Sequence, residues 1–268
     1  MSEELLALSP AQRADYERFK QRIRRRCGVD LSLYKPQQMH RRLWGLVERL
    51  SLHSFTEYAD RVDTDPAEWA RFLDRMTINV SELFRNPEKW TDLHTRVLPS
   101  LMTKGKPMRI WSAGCSYGAE PFSLAMLLND LAPGLNHYLL ATDIDEKILA
   151  KAREGYFTDA DIRGVPVGFK HKHLVREGPI YHATPQLRSA ITFKKHNLLA
   201  DPFERQFDLI ACRNVVIYFT DPAKDVLYRS FRDALRPGGI LFIGGTERIV
   251  NHRELGFDCP MPFFYQRD

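Results

Sequence analysis

Much that would make a function easy to assign is missing from this sequence. Its four cysteines, Cys27, Cys115, Cys212 and Cys259, are scattered with no Cys-x-x-Cys pair, and its nine histidines form no His-Glu-x-x-His set. Neither a disulfide framework nor a zinc site is indicated, and no metal ligands are assigned. No apolar run approaches the ~20 residues needed to cross a bilayer. The opening Met1-Ser-Glu-Glu-Leu-Leu also lacks a basic-then-apolar leader, so a cytoplasmic protein without membrane insertion is expected. Neither the Walker A pattern nor the Gly-x-Gly-x-x-Gly fingerprint can be laid over the chain, which argues against a pyrophosphate ligand and a nicotinamide dehydrogenase. What is present is ordinary for a globular protein, 44% hydrophobic and 27% charged over 268 residues, enough to bury one large domain or one domain plus a small one.

The chain is organised around Arg109 to Leu128. Met108-Arg-Ile-Trp-Ser-Ala-Gly114 is a short apolar run ending in small residues, as a buried strand does when it meets a turn. From Tyr117 the spacing of Phe122, Leu124, Ala125, Leu127 and Leu128 becomes that of a buried helix face. Gly114 and Gly118 allow positive φ or close approach of a ligand, and the helix start behind them offers unpaired N–H groups. Glu120 at this turn suits a ligand that carries positive charge. A second strand, His137 to Asp143, ends on an acid, the place where doubly wound folds hold ribose hydroxyls; Asp143 can equally cap the helix beginning near Asp145. Together the glycine turn, Glu120 and Asp143 favour an adenosyl ligand without phosphate, such as S-adenosylmethionine, over a bare βα corner.

Residues 1 to about 90 have helical character, with Tyr16, Phe19, Ile23 and Leu43, Leu46, Val47, Leu50 at helix spacing. Between Arg18 and Arg49 there are ten Lys or Arg residues against Asp30 and Glu48, so the net charge of +5 is localised here. Arg22, Arg25, Arg26, Arg41, Arg42 and Arg49 either form a solvated face or a docking surface for an acidic partner, nucleic acid or protein. Between the basic helices and the glycine turn, Asn79, Ser81 and Arg85 are either caps or part of a segment that closes over the turn. In the latter case the Arg85 guanidinium can hold a carboxylate in bidentate fashion.

Five segments in order carry a resemblance: Thr77-Ile-Asn-Val-Ser-Glu-Leu-Phe-Arg-Asn86, Trp111-Ser-Ala-Gly-Cys-Ser-Tyr-Gly-Ala-Glu-Pro121, Ala141-Thr-Asp-Ile-Asp145, His196-Asn-Leu-Leu199 and Cys212-Arg-Asn-Val-Val-Ile-Tyr-Phe219. Over nearly the whole chain this resembles the CheR family of chemoreceptor glutamate O-methyltransferases, Bacillus-type members in particular. The resemblance implies an α/β fold. A small all-helical domain (1–75) and a linker and cofactor lid (76–95) would precede a class I, Rossmann-like methyltransferase domain (96–268) with a small inserted β-subdomain at about 165–192. It implies a cofactor pocket for S-adenosylmethionine, with S-adenosylhomocysteine as product, made by Asn79, Ser81, Arg85, Gly114, Glu120, Asp143, Asn197, Leu198, Arg213 and Asn214. Arg85 and Tyr218 are the candidates for the transfer site, Tyr218 lining it or merely packing. The partner implied is the cytoplasmic helical domain of chemoreceptors, docked on the basic helices, with no nucleic acid and a monomeric enzyme. The short insert leans toward independence from a receptor C-terminal pentapeptide. At the turn, Ala119 stands where the family commonly has the first of two acids.

The remaining segments add strands at Ile191 to Asn197, Phe207 to Cys212 and Ile240 to Ile243, the last after a turn at Arg236-Pro-Gly-Gly239. A helix is expected around Ala223 to Leu235, and Phe263-Phe-Tyr265 reads as the closing edge strand. The strand ending in Cys212-Arg-Asn carries neither the Asn/Asp-Pro-Pro-aromatic string of amine methyltransferases nor a Pro-Cys nucleophile, which argues against a nucleic-acid methyltransferase. A non-catalytic adenosyl-binding adaptor is the remaining alternative.

Overall fold

The computed structural model describes residues 8–77 and 81–268. The chain forms two compact units, Met1–Ile78 with Tyr218–Lys224, and Asn79–Ile217 with Asp225–Asp268.

The first unit is built from α1 (Pro10–Cys27), α2 (Pro36–Arg49), α3 (Phe55–Thr64) and α4 (Pro66–Thr77). Helix α1 starts on a reciprocal capping box between Ser9 and Gln12 with Pro10 in its first turn, and it stops at Gly28, whose φ of 74° is left-handed. Its buried residues are Tyr16, Phe19 and Ile23, one apolar stripe. Phe19 meets Phe55 at 5.0 Å and Phe72 at 6.0 Å between ring centres, so three helices share one aromatic cluster. Asp15 of α1 accepts the Phe55 N–H at 2.7 Å and the Thr56 N–H at 3.2 Å, capping α3 from a neighbouring helix. The returning segment Tyr218–Lys224 pairs with the residues just before α2. Lys35 N–H donates to the Tyr218 carbonyl at 2.8 Å and Thr220 N–H to the Leu33 carbonyl at 2.9 Å, while the rings of Tyr34 and Phe219 meet edge to face. Since α4 runs to Thr77, the boundary expected at residue 75 falls inside a helix.

The second unit begins with α5 (Pro87–Asp92), which passes through a π turn (Leu93–Val97) into α6 (Leu98–Leu101). Then come β1 (Arg109–Ala113), α7 (Ala119–Leu131), β2 (Tyr138–Asp143) and α8 (Glu146–Glu154). The insert holds β3 (Tyr156–Thr158), α9 (Val167–His173), β4 (Leu174–Glu177) and β5 (Ile180–Ala183). After α10 (Pro185–Ser189), β6 (Ile191–Lys195) and β7 (Phe207–Cys212), the chain runs through α11 (Asp221–Ala234), β8 (Leu235–Ile243), β9 (Phe257–Met261) and β10 (Phe264–Arg267). The large sheet has the order β6-β2-β1-β7-β8-β10-β9. Strands β6, β2, β1, β7 and β8 are parallel, and β10 lies antiparallel between β8 and β9. The order reverses between β1 and β7, so the crevice for a ligand opens beyond their carboxyl ends.

Three expectations are corrected. The edge strand is β9, and Phe264 to Arg267 lies inside the sheet: Phe264 and Tyr265 are buried, whereas Asp258, Cys259 and Pro260 face solvent. Arg236-Pro-Gly-Gly239 is no separate turn, because β8 already starts at Leu235 and absorbs the glycines as an irregularity in its pairing with β7. The small sheet, in the order β3-β5-β4, spans 156–183 and not 165–192; Phe169-Lys-His-Lys-His173 is helical, and Ile191 to Lys195 pairs with β2 in the large sheet.

Trp111 fills the middle of the sheet, with Phe203, Phe207 and Phe231 within 6 Å and its indole N–H donated to the Thr142 hydroxyl at 2.9 Å. Trp111→Ala should cost about 3–5 kcal/mol of stability in urea unfolding of this unit; a loss below 1 kcal/mol would contradict this packing.

Candidate active site

The site is assembled where β1, β2, β6 and β7 end. Past β1, Gly114 (φ 80°) and Ser116 (φ 51°) both take left-handed backbone, and the turn is fixed by N–H groups of Gly114 and Cys115 donated to the Thr142 carbonyl at 2.8 and 2.9 Å. A Cβ on Gly114 would stand 2.6 Å from a Val215 methyl, so only glycine lets the turn approach the loop after β7 this closely. Asp143 ties the next strand to the same turn. One carboxylate oxygen accepts the Ser116 N–H at 2.8 Å and the other the Asp145 N–H at 3.1 Å. Asp145, not Asp143, caps α8, through the N–H groups of Lys147 and Ile148. Asp143 is therefore released from the capping role, and each of its oxygens keeps a lone pair for a further donor such as a ribose hydroxyl. Burial raises its carboxyl above the usual range, partly offset by the Asp145 and Ser116 amides.

Glu120 sits in the first turn of α7, where the helix start favours an anion. It accepts the Ser112 hydroxyl at 2.8 Å and lies 4.0 Å from the Arg213 guanidinium. Burial pushes its carboxyl up to about 7 against the opposing pull of Arg213 and Ser112, and Glu247 adds to the rise. Ala119 is fully buried within the apolar core, so at this turn Glu120 supplies the carboxylate.

Arg213 packs against the rings of Phe242 at 4.7 Å and Trp90 at 5.2 Å, which meet each other edge to face. It donates to the Arg85 carbonyl at 2.6 Å and the Asn86 amide oxygen at 3.2 Å. Its burial lowers its pKa, opposed by Glu120 and Glu247, and its Nε is buried without a partner. Arg213 thus fastens the segment 81–86 to the loop after β7. Other ties hold the same segment: Phe84 N–H donates to the Ser123 hydroxyl at 3.0 Å, Leu83 N–H to the Asp161 carbonyl at 2.9 Å, and the Tyr117 hydroxyl lies between the Ser81 carbonyl and the Asp161 carboxylate. Gly164 makes room beneath it, since a Cβ there would be 2.8 Å from the Leu83 carbonyl oxygen.

Of the residues picked from sequence, Ser81, Arg85, Gly114, Glu120, Asp143 and Arg213 take part in these contacts, and Asn214 is held through its N–H on Glu247 at 2.9 Å. Asn197 and Leu198 follow β6, where His196 N–H donates to the Asp143 carbonyl at 2.9 Å; the Asn197 side chain accepts the Leu199 N–H at 3.0 Å. Asn79 lies outside the described residues. Tyr218 belongs to the helical unit, with Arg42 5.9 Å from its ring and its carbonyl paired to Lys35. Phe84 of the same segment is a core residue, tilted against the Trp90 ring and stacked on that of Phe169. Sequence reasoning missed Glu247, whose carboxylate accepts four backbone N–H groups; the signal was an acid two residues after Gly244-Gly245, past the end of an apolar strand.

In the helical unit the six basic candidates separate. Arg22 binds Asp60 and Asp63, Arg26 binds Asp63 and covers Trp69, and Arg49 pairs with Glu68, itself 2% exposed. These three hold helices together. Arg42 is half-buried, while Arg25 and Arg41 are exposed with no ion pair among the described residues.

The pocket fits an adenosyl sulfonium ligand on this chain's own geometry: a glycine cradle, a buried carboxylate beside a helix start, and a strand-end acid with free lone pairs. Glu120 also sets a pH dependence. Its folded pKa exceeds its ordinary 4.5, so the folded state binds the extra proton and stability falls as pH rises from about 4.5 through about 7. Glu120→Gln should flatten that fall relative to wild type in melting curves of the ligand-free protein; an unchanged slope would refute the assignment.

Comparison with known proteins gives one family for both units. A family model described as "CheR methyltransferase, all-alpha domain" matches residues 14–77, and one described as "CheR methyltransferase, SAM binding domain" matches residues 79–261. A chemotaxis protein methyltransferase of Listeria monocytogenes is 40% identical over 96% of this chain and 98% of its own. Proteins of the same description from Pseudomonas aeruginosa and Borreliella burgdorferi are 35% and 32% identical, over 90% and 88% of this chain and 92% and 88% of theirs.

Proposed function

The chain belongs to the CheR methyltransferase family and is an S-adenosylmethionine-dependent methyltransferase; we propose that the group it methylates is the side-chain carboxylate of chemoreceptor glutamates, giving 5-O-methyl esters. The observation that carries this reading is the buried Glu120–Arg213 pair beside the Gly114 turn and Asp143; the neighbouring thiols of Cys115 and Cys212 are pushed well above their ordinary range by burial and the nearby carboxylates, which keeps them protonated. When bound, S-adenosylmethionine supplies a methyl group on a sulfonium, whose displacement by a carboxylate oxygen leaves S-adenosylhomocysteine with no proton to move. A glutamate acceptor is already ionised near pH 7, so the protein's task is placement and exclusion of water.

Asp143 holds the ribose hydroxyls, and Glu120 faces the cationic methionine end. Arg85, fixed by its carbonyl to Arg213 and to the Trp90 indole N–H at 2.9 Å, offers its guanidinium to a carboxylate of cofactor or acceptor. Ser81, Asn197, Leu198 and Asn214 complete the pocket wall. The enzyme acts as a monomer in the cytoplasm on the helical domain of receptors. Arg25, Arg41 and Arg42 form the docking charge, because Arg22, Arg26 and Arg49 are committed to carboxylates of their own unit.

Methyl-labelled S-adenosylmethionine incubated with receptor-bearing membranes should yield label that mild alkali releases as methanol. Label that survives alkali would refute ester formation, and binding without label would favour the adaptor. Asp143→Asn should weaken S-adenosylhomocysteine binding about tenfold or more. Arg25→Glu with Arg41→Glu should raise the KM for receptor severalfold while leaving S-adenosylhomocysteine affinity unchanged; equal loss of both would count against docking at these residues.

A further inference from the structure

Glu247 has no role in the reading above, yet it is the most fully engaged carboxylate beside the site. It is 4% exposed. One oxygen accepts the Val215 and Val216 N–H groups, both at 3.1 Å; the other accepts the Asn214 N–H at 2.9 Å and the Gly244 N–H at 2.5 Å. A single ionised side chain thus satisfies three consecutive amides of the loop after β7 and one amide at the end of β8. The loop cannot satisfy them through a regular helix turn, because Asn214 stands at φ 60°, a left-handed conformation unusual for a residue with a side chain. Gly244 is required by the same arrangement, since a Cβ there would lie 2.6 Å from the Glu247 carboxylate and 2.8 Å from Asn214 N.

The consequences reach the pocket in three directions. Arg213, next to the held amides, carries the guanidinium that meets Glu120 and the Arg85 carbonyl. Asn214 projects from the strained position itself. Val215 presses on Gly114, so its height fixes how closely the loop approaches the glycine turn.

We propose that Glu247 is the positioning residue of the cofactor pocket: by gathering the Asn214, Val215 and Val216 amides, its carboxylate holds Arg213 and Asn214 in the geometry that receives the cofactor. It touches neither cofactor nor acceptor and acts through that loop. The proposal rests on the cofactor reading of the site. An ionised carboxylate is needed, because a glutamine in its place presents an NH2 group to amides that can only donate.

The test combines Glu247→Gln, Glu247→Asp and Gly244→Ala, the last driving a methyl group between carboxylate and loop without altering charge. Leu128→Ala, at the far end of α7, serves as a control that lowers stability away from the loop. Hydrogen exchange of the peptide 213–217 should accelerate at least tenfold in Glu247→Gln and Gly244→Ala, with β1 and β7 unchanged. S-adenosylhomocysteine binding should weaken tenfold or more in both, with Glu247→Asp intermediate, and the receptor KM should stay within threefold of wild type. Unchanged loop exchange, or cofactor affinity within twofold of wild type in Glu247→Gln, would overturn the proposal. So would an equal loss of affinity in Leu128→Ala at matched melting temperature, which would reduce the effect to stability. If wild type itself binds no S-adenosylhomocysteine, the cofactor reading falls and takes the pocket role with it, whereas the exchange data still report separately on the clamp.

Discussion

The catalytic unit depends on one cation. Arg213 is almost wholly withdrawn from water, and a guanidinium in that position persists only because its surroundings replace what water supplied. Two aromatic rings pack against it, a backbone carbonyl and an amide oxygen accept its N–H groups, and Glu120 lies 4.0 Å away. Glu247, the second carboxylate acting on it, fixes the loop on which it sits. Each of these groups comes from a different stretch: the segment before α5, the start of α7, and the ends of β7 and β8. Remove the guanidinium and two buried acids lose their shared countercharge, while the segment 81–86 loses a tether.

This arrangement explains how three acids can be buried together beside the Gly114 turn. An acceptor that brings its own negative charge would be repelled by a site crowded with free carboxylates. Here the acidic groups are already engaged: Asp143 by two amides, Glu247 by four, Glu120 by a hydroxyl and a guanidinium. Burial raises the affinity of all three for protons, and a cationic ligand beside Glu120 acts in the opposite sense, stabilising its charged form.

Much of the fold was legible in the residues. Strands β1, β2, β6 and β7 and the helix stripe of α1 follow from apolar periodicity, and Asp143 and Glu120 stand out because acids at strand ends and helix starts serve definite ends. What escaped was non-local. The arginines of the helical unit read as one basic face, because Asp60, Asp63 and Glu68, which neutralise half of them, come later in the chain. Tyr218 left two readings open, lining the transfer site or packing, and the chain division that places it with the helices is set by its pairing to Lys35, which lies far away in sequence. Phe264 read as an edge because it comes last, although a strand's place in a sheet is set by pairing and not by order. Glu247 escaped because its partners are main-chain amides, which side-chain composition does not report, so the acid after Gly244-Gly245 stood as a signal without a visible partner.

The return of Tyr218–Lys224 to the helical unit has a consequence for how such proteins can be recombined. The helices are not a module that one cut would detach: a fragment ending near residue 78 would leave the Lys35 amide and Leu33 carbonyl without the strand they pair with, and the Tyr34 ring without Phe219. Grafting a foreign helical bundle onto this sheet would therefore succeed only if a seven-residue ribbon from deep in the second half travelled with it. The helical unit and the sheet are in that sense inherited together, since the first is completed by chain that the second encloses in sequence.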